Sequence, residues 1–156
     1  MTVWIAALRL AFAFLLGGLV GWEREREDKP AGLRTLILVC LGSCMYVVVA
    51  QMLPEAEGFE VDVDPLRIIA GIAQGIGFLG AGTIFFSRGT VHGLTTAAAV
   101  WATSAVGVAC GHGMWQIALL GALFTVITLR LLLPVAVRIG GRWRHPQSTP
   151  SPEDSA

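Results

Sequence analysis

The sequence predicts an all-α, polytopic transmembrane helix bundle of about five spans, with its N-terminus outside and its C-terminus in the cytoplasm. Three observations carry this. Of 156 residues, 54% are hydrophobic and 14% charged, against about a quarter charged in an ordinary soluble domain. Apolar runs occupy Val3 to Trp22, Thr35 to Leu53, Ile68 to Phe86, Leu94 to Cys110 and Met114 to Val137, each near the roughly 17 to 25 residues a membrane-crossing helix needs. The basic residues between the runs are lopsided. Arg24, Arg26, Lys29, Arg34, Arg88, Arg138, Arg142 and Arg144 fall on one side and only Arg67 on the other, a positive-inside pattern.

The first run lacks a basic n-region and is followed by charge rather than a small-residue cleavage site, so it reads as a retained span. Ala13, Gly17 and Gly21 recur along it every fourth residue, and Arg9 extends the same row. Small residues at this spacing let helix backbones approach closely, so this face is expected to look inward. An inward Arg9 needs a partner, and Asp64 is one candidate; the alternative is an Arg9 that snorkels to the interface.

The charged stretch from Glu23 through Arg24, Glu25 and Arg26 to Lys29 precedes Pro30 and Gly32. A turn at Pro30–Gly32 is expected to bring Arg34 back toward Glu23 or Glu25. Cys40 and Cys44 share a face of the second span, and Cys110 lies in the fourth. No histidine accompanies the pair at metal-ligand spacing, so all three read as small core residues. The loop from Pro54 to Pro65 carries Glu55, Glu57, Glu60, Asp62 and Asp64 with no base, an acidic outer lip.

The third span holds Gly71, Gly75, Gly77, Gly80 and Gly82. Two small faces predict a central helix packed between neighbours; the alternative is a helix that unwinds near the midplane and exposes its backbone to an ion. Gln74, Thr83, Thr95 and Thr96 are the polar groups available to such a site. Gly75 to Gly80 spells GxGxxG, but no preceding strand, opening helix or distant acid accompanies it, so it is not a dinucleotide site. In the fourth span Ala99, Thr103, Gly107 and Gly111 repeat the four-residue ladder. Residues 1–144 are read as the bundle. Residues 145–156, rich in Pro, Ser and acid, are read as a disordered cytoplasmic tail.

Several ordered stretches make the chain recognisable: Gly21-Trp-Glu-Arg-Glu25, Lys29-Pro-Ala-Gly-Leu-Arg-Thr35, Asp64-Pro-Leu-Arg67, Gly75-Ile-Gly-Phe-Leu-Gly-Ala-Gly82, and Gly93-Leu-Thr-Thr-Ala-Ala98 with Trp101. From about Gly17 to Gly113 the chain resembles the MgtC/SapB family of bacterial inner-membrane proteins. The resemblance implies a hydrophobic bundle tied to growth under magnesium limitation and, in pathogens, to survival inside host cells. It also implies, for some members, restraint of the F-type ATP synthase. Longer members carry a cytoplasmic C-terminal domain, which is not expected in a sequence ending at Ala156.

Two function classes follow. One is a membrane regulator that binds other membrane proteins; the other is a small transporter or channel for magnesium or another ion. Acids in the outer loop suit a hard divalent cation, whereas the absence of Asp or Glu inside any span counts against a cation path. An enzyme is not expected, because the spans hold no acidic pair, no nucleophile with a base and no ligand cluster. No cofactor is expected. The balanced charge gives no reason for a nucleic-acid partner, and self-association is left open.

Overall fold

In the computed structural model, residues 1–57, 64–87 and 90–140 are described, with side chains at 1–53, 64–87 and 90–131. The chain forms α1 (Val3–Arg26), α2 (Leu33–Glu57), α3 (Pro65–Ala81), a two-stranded antiparallel hairpin of β1 (Phe85–Ser87) and β2 (Thr90–His92), α4 (Leu94–Gly111) and α5 (Trp115–Gly140). α1, residues Leu33–Leu53 of α2, and α4 are long and apolar enough to cross a membrane; α3 is a shorter apolar helix, and Trp115–Leu131, the part of the 26-residue α5 whose side chains are described, is apolar as well.

Side-chain burial runs opposite to that of a water-soluble protein. Trp4 is 82% and Phe78 80% exposed, while Ala13, Cys40, Cys44, Thr103 and Ala122 are fully buried. Large apolar groups face outward and small or weakly polar groups fill the centre, the arrangement a lipid solvent favours. The four-residue ladders are the contact surfaces. A Cβ at Gly17 would stand 2.8 Å from the Cys40 Cβ and 2.9 Å from the Leu36 carbonyl oxygen, and one at Gly107 would fall on the Cys40 carbonyl. The three cysteines are accordingly core residues at the α1–α2–α4 junction, all free and buried.

α4 is the central helix, packing against α1, α2, α3 and α5. This corrects the expectation that the third span would be central. α3 contacts α4 mainly, through Gly80 against Ala97, while a Cβ added at Gly71, Gly75 or Gly77 would meet nothing within 4 Å. The helix is also continuous through all of these glycines rather than unwound. It begins where the Asp64 carboxylate accepts from the Leu66 N–H at 2.9 Å, with Pro65 in the first turn, a favourable start because proline has no N–H to leave unsatisfied. It ends at Ala81, five residues short of the Phe86 expected from hydropathy. Phe85-Phe-Ser and Thr90-Val-His pair instead in the register Phe85 with His92 and Ser87 with Thr90. Aromatic and β-branched residues flanking a two-residue connection favour a hairpin, and an apolar run alone does not distinguish it from helix.

Of the stretch read as an acidic loop, 54–57 belong to α2 and residues 58–63 lie outside the described residues, as does the tail from 141 onward. Glu57 closes α2 and Asp64 caps α3.

Candidate functional site

Polar side chains gather at the two ends of the α1–α2–α4 core, about 22 Å apart along α1 from Arg9 to Arg24 at 1.5 Å per residue. At the first end, the Arg9 Nη1 donates to the Gln51 Oε1 and to the Gly111 carbonyl oxygen, each at 2.6 Å. Because the Gln51 oxygen is taken, its amide nitrogen, 3.0 Å from the His112 Nδ1, must be the donor there. His112 Nδ1 therefore accepts, and the proton of the neutral ring sits on Nε2. Burial and then the nearby Arg9 charge hold the His112 pKa below its ordinary value. The inward role expected for Arg9 is present with different partners: Asp64 caps α3, and α2 and α4 satisfy the guanidinium. Gly113, at φ 74°, leaves room for it, since a Cβ there would lie 3.0 Å from an Arg9 nitrogen.

At the other end Glu23 and Arg24 are 7% and 4% exposed, an unusual depth for charged groups. Arg24 Nη2 donates to the Thr96 hydroxyl at 2.6 Å, linking the end of α1 to the first turn of α4. Its Nε is buried with no acceptor. Arg24, Glu27, Lys29, His92, Thr95 and Thr96 are among the residues that line a vestibule of about 520 Å³, walled on its apolar side by Phe85, Val91, Leu94 and Leu129. The turn after α1 does fold back, but through a different atom pair from the one expected. Glu25 Oε2 accepts from the Leu33 N–H at 2.8 Å, so the carboxylate caps the N-terminus of α2, where the helix dipole favours negative charge. Gly32 permits this because a Cβ there would collide with the Glu25 carboxylate. Arg34, the next residue of α2, is exposed and takes no part.

Between the ends the core holds a hydroxyl pair, Ser43 with Ser104 at 2.8 Å, and Ser43 also donates to the Val39 carbonyl oxygen at 2.9 Å. Cys40, Val20 and Val100 are buried in the same core. Among the described residues no carboxylate enters this layer. An apolar groove runs between α2 and α3, with Ser43 in its wall. One cavity of about 490 Å³ includes Leu38, Gly42, Tyr46, Ile72, Gly75 and Leu79 in its wall, and another of about 570 Å³ shares Tyr46, Ile72 and Gly75 and reaches Arg67.

The sequence profile of the MgtC family matches residues 10–138. The chain belongs to the MgtC family. It is 40% identical over 131 residues to SrpB of Synechococcus elongatus, covering 79% of this chain and 72% of that protein. It is 35% identical over 149 residues to YhiD of Escherichia coli, named as a proposed magnesium transporter, covering 91% of this chain and 67% of that one. It is 44% identical over 126 residues to MgtC of Brucella abortus, covering 81% of this chain, and spans half the length of that relative. No solved structure matches significantly.

In this member of the MgtC family the structure brings Glu23, Arg24, Lys29, Thr95 and Thr96 together from two sequence-distant motifs. Gly75 and Arg67 line the α2–α3 groove, and Gly80 meets α4. Gln74 is exposed on α3, Gly77 faces open space, and Gly82 ends the helix, where the Thr83 hydroxyl donates to the Gly80 carbonyl oxygen at 2.8 Å. Sequence reasoning missed Gln51, His112, His92 and the Ser43–Ser104 pair. The signal available for Gln51 and His112 was position: each is a polar residue at the same end of a span as Arg9.

Proposed function

We propose that the chain is a multi-pass protein of the bacterial inner membrane that regulates other membrane proteins under magnesium limitation and does not itself conduct the ion. Five crossings, with the Arg9 end outside and the Arg24 end cytoplasmic, agree with the alternating directions of the helices and with the basic residues collected at the Arg24 end. The observation that carries the regulatory reading is the closed middle of the bundle. The polar clusters are separated by a layer of buried Cys, Val and Ser side chains, and a hard, strongly hydrated divalent cation requires oxygen ligands or water throughout its path. The α2–α3 groove, floored by Gly42 and Gly75, supplies a face on which one transmembrane helix of a partner can seat closely. The resemblance points to the F-type ATP synthase as one such partner. No catalytic role is assigned.

The transporter reading draws its support from the name of the YhiD relative, which proposes magnesium transport. The two readings separate at Gly75, where a side chain fills the groove without touching the core. Gly75→Leu should leave the melting temperature of the purified protein unchanged and abolish rescue of growth at limiting magnesium in a strain lacking the gene. Full rescue by Gly75→Leu contradicts the binding-face reading.

A further inference from the structure

The vestibule at the Arg24 end has features that neither packing nor a partner helix explains. A guanidinium that is 4% exposed makes one hydrogen bond to protein, to Thr96, and its Nε has no acceptor. A buried donor without a partner is costly, and the guanidinium that carries it belongs to a residue lining the cavity. The second feature is the start of α4. Its N-cap is Gly93, at φ 88° and without a side-chain cap, and the first intrahelical bond there runs from Ala97 N–H to the Gly93 carbonyl. The N–H groups of the first turn at Leu94, Thr95 and Thr96 are therefore uncapped at the wall of the same cavity, at the positive end of an 18-residue helix.

We propose that this vestibule binds a phosphate ester, held by Arg24 and the first-turn amides of α4, with Lys29 at its mouth. Helix N-termini and planar guanidinium groups are the two protein elements best matched to phosphate oxygens. The charge of the ligand is limited by Glu23 and Glu27, which line the same cavity. Two carboxylates offset the two cations, so the helix end decides the sign, and a singly charged phosphodiester fits better than a phosphate dianion. The cavity lining also has an apolar part, with Phe85 54%, Val91 49% and Leu94 59% exposed. The apolar run of α1 ends at Trp22, one residue before Glu23, so the vestibule stands at the level of the lipid headgroups. A phosphodiester with an apolar chain, an anionic phospholipid, matches both parts of the lining. Free phosphate shares the recognised group and is the other source.

The test uses the full-length protein in nanodiscs and in detergent. Binding is read as retention of phosphatidylglycerol by native mass spectrometry and as the thermal shift it produces, with phosphatidylcholine and inorganic phosphate as separate arms. Arg24→Gln should reduce phosphatidylglycerol binding about tenfold or more, the loss expected for one charge-assisted bond. Because Arg24 also ties α1 to α4, Thr95→Asp keeps the test sound. Thr95 is exposed, and an acid in the first turn of a helix favours the fold while occupying the phosphate position. That variant should melt at the same temperature or higher and lose binding to a similar extent. Selective retention of phosphatidylglycerol over phosphatidylcholine, lost in Thr95→Asp, assigns a lipid ligand; stabilisation and competition by inorganic phosphate, likewise lost in that variant, assign free phosphate. Retention of phosphatidylglycerol unaltered by Thr95→Asp, or no response to either phosphate source, overturns the proposal.

Discussion

Helices α3 and α4 are both apolar and rich in small residues, yet one lies at the edge of the bundle and the other at its centre. In α4 the small residues recur every fourth position, and Thr103 and Ser104 stand beside them, fully or almost fully buried. Gly107 and Gly111 rest against Cys40, Cys44 and Val47 of α2 so closely that no Cβ fits. In α3 the glycines are more numerous, four against two, but a Cβ added at Gly71, Gly75 or Gly77 would meet nothing within 4 Å. The difference shows that glycine density does not identify the helix at the centre. A single continuous small face combined with buried hydroxyls does, because those hydroxyls need an inward or backbone partner. Thr103 donates to the Ala99 carbonyl oxygen at 2.7 Å, and Ser104 pairs with Ser43. The open glycines of α3 are then a surface property, consistent with a face kept free for another helix.

The largest effect that can break this comparison comes from adding one methyl group to each helix. Gly107→Ala forces a Cβ onto the Cys40 backbone, and overpacking of this kind costs about 1 to 3 kcal/mol, so the melting temperature in detergent should drop and folded yield fall. Gly77→Ala should be neutral or raise stability by up to about 1 kcal/mol, since alanine is the better helix former and nothing obstructs it. Similar destabilisation of both variants would place α3 in the core after all.

A second difference lies at the far end of α4, where His112 enters the Arg9 network. Its folded pKa is depressed, so the unfolded chain takes up a proton first as pH falls. The stability contributed by the neutral ring is complete above the unfolded value, about 6.5, and is lost as pH falls from there through the folded value. Protonating Nδ1 also turns the Gln51 contact into two facing donors. Melting curves between neutral and mildly acidic pH should show this decline, and His112→Gln should flatten it. A decline of equal size in the variant would remove His112 as its cause.

Most of the bundle was legible from hydropathy because each helix must satisfy its own backbone in lipid. The inward ladders of α1 and α4 were legible from spacing alone. The hairpin was not, since Phe85, Phe86 and Val91 are as apolar as the span before them and only their β-forming character sets them apart. Nor could charge order within the stretch from Glu23 to Arg34 reveal which acid acts. Glu25 and Arg34 look like an ion pair in sequence, but the backbone N–H of Leu33 presents the nearer positive charge. Pairing Arg24 with Thr96 required the fold, because 72 positions separate them.

The smallest expected effect concerns that cap. Glu25→Ala should cost about 1 kcal/mol, the usual loss for an N-terminal helix cap, while Arg34→Ala should change stability by less than about 0.5 kcal/mol. Chemical denaturation in mixed micelles resolves the two. A larger loss for Arg34→Ala would restore the ion pair read from sequence.

The central claim is that a bundle closed by its own small residues regulates rather than conducts. Purified full-length protein reconstituted in liposomes loaded with a magnesium-sensitive dye tests it most directly. The closed core predicts no magnesium entry above that of protein-free vesicles across a wide range of external magnesium, with or without a membrane potential. Saturable uptake that scales with the amount of protein would contradict the account and make the chain a magnesium transporter.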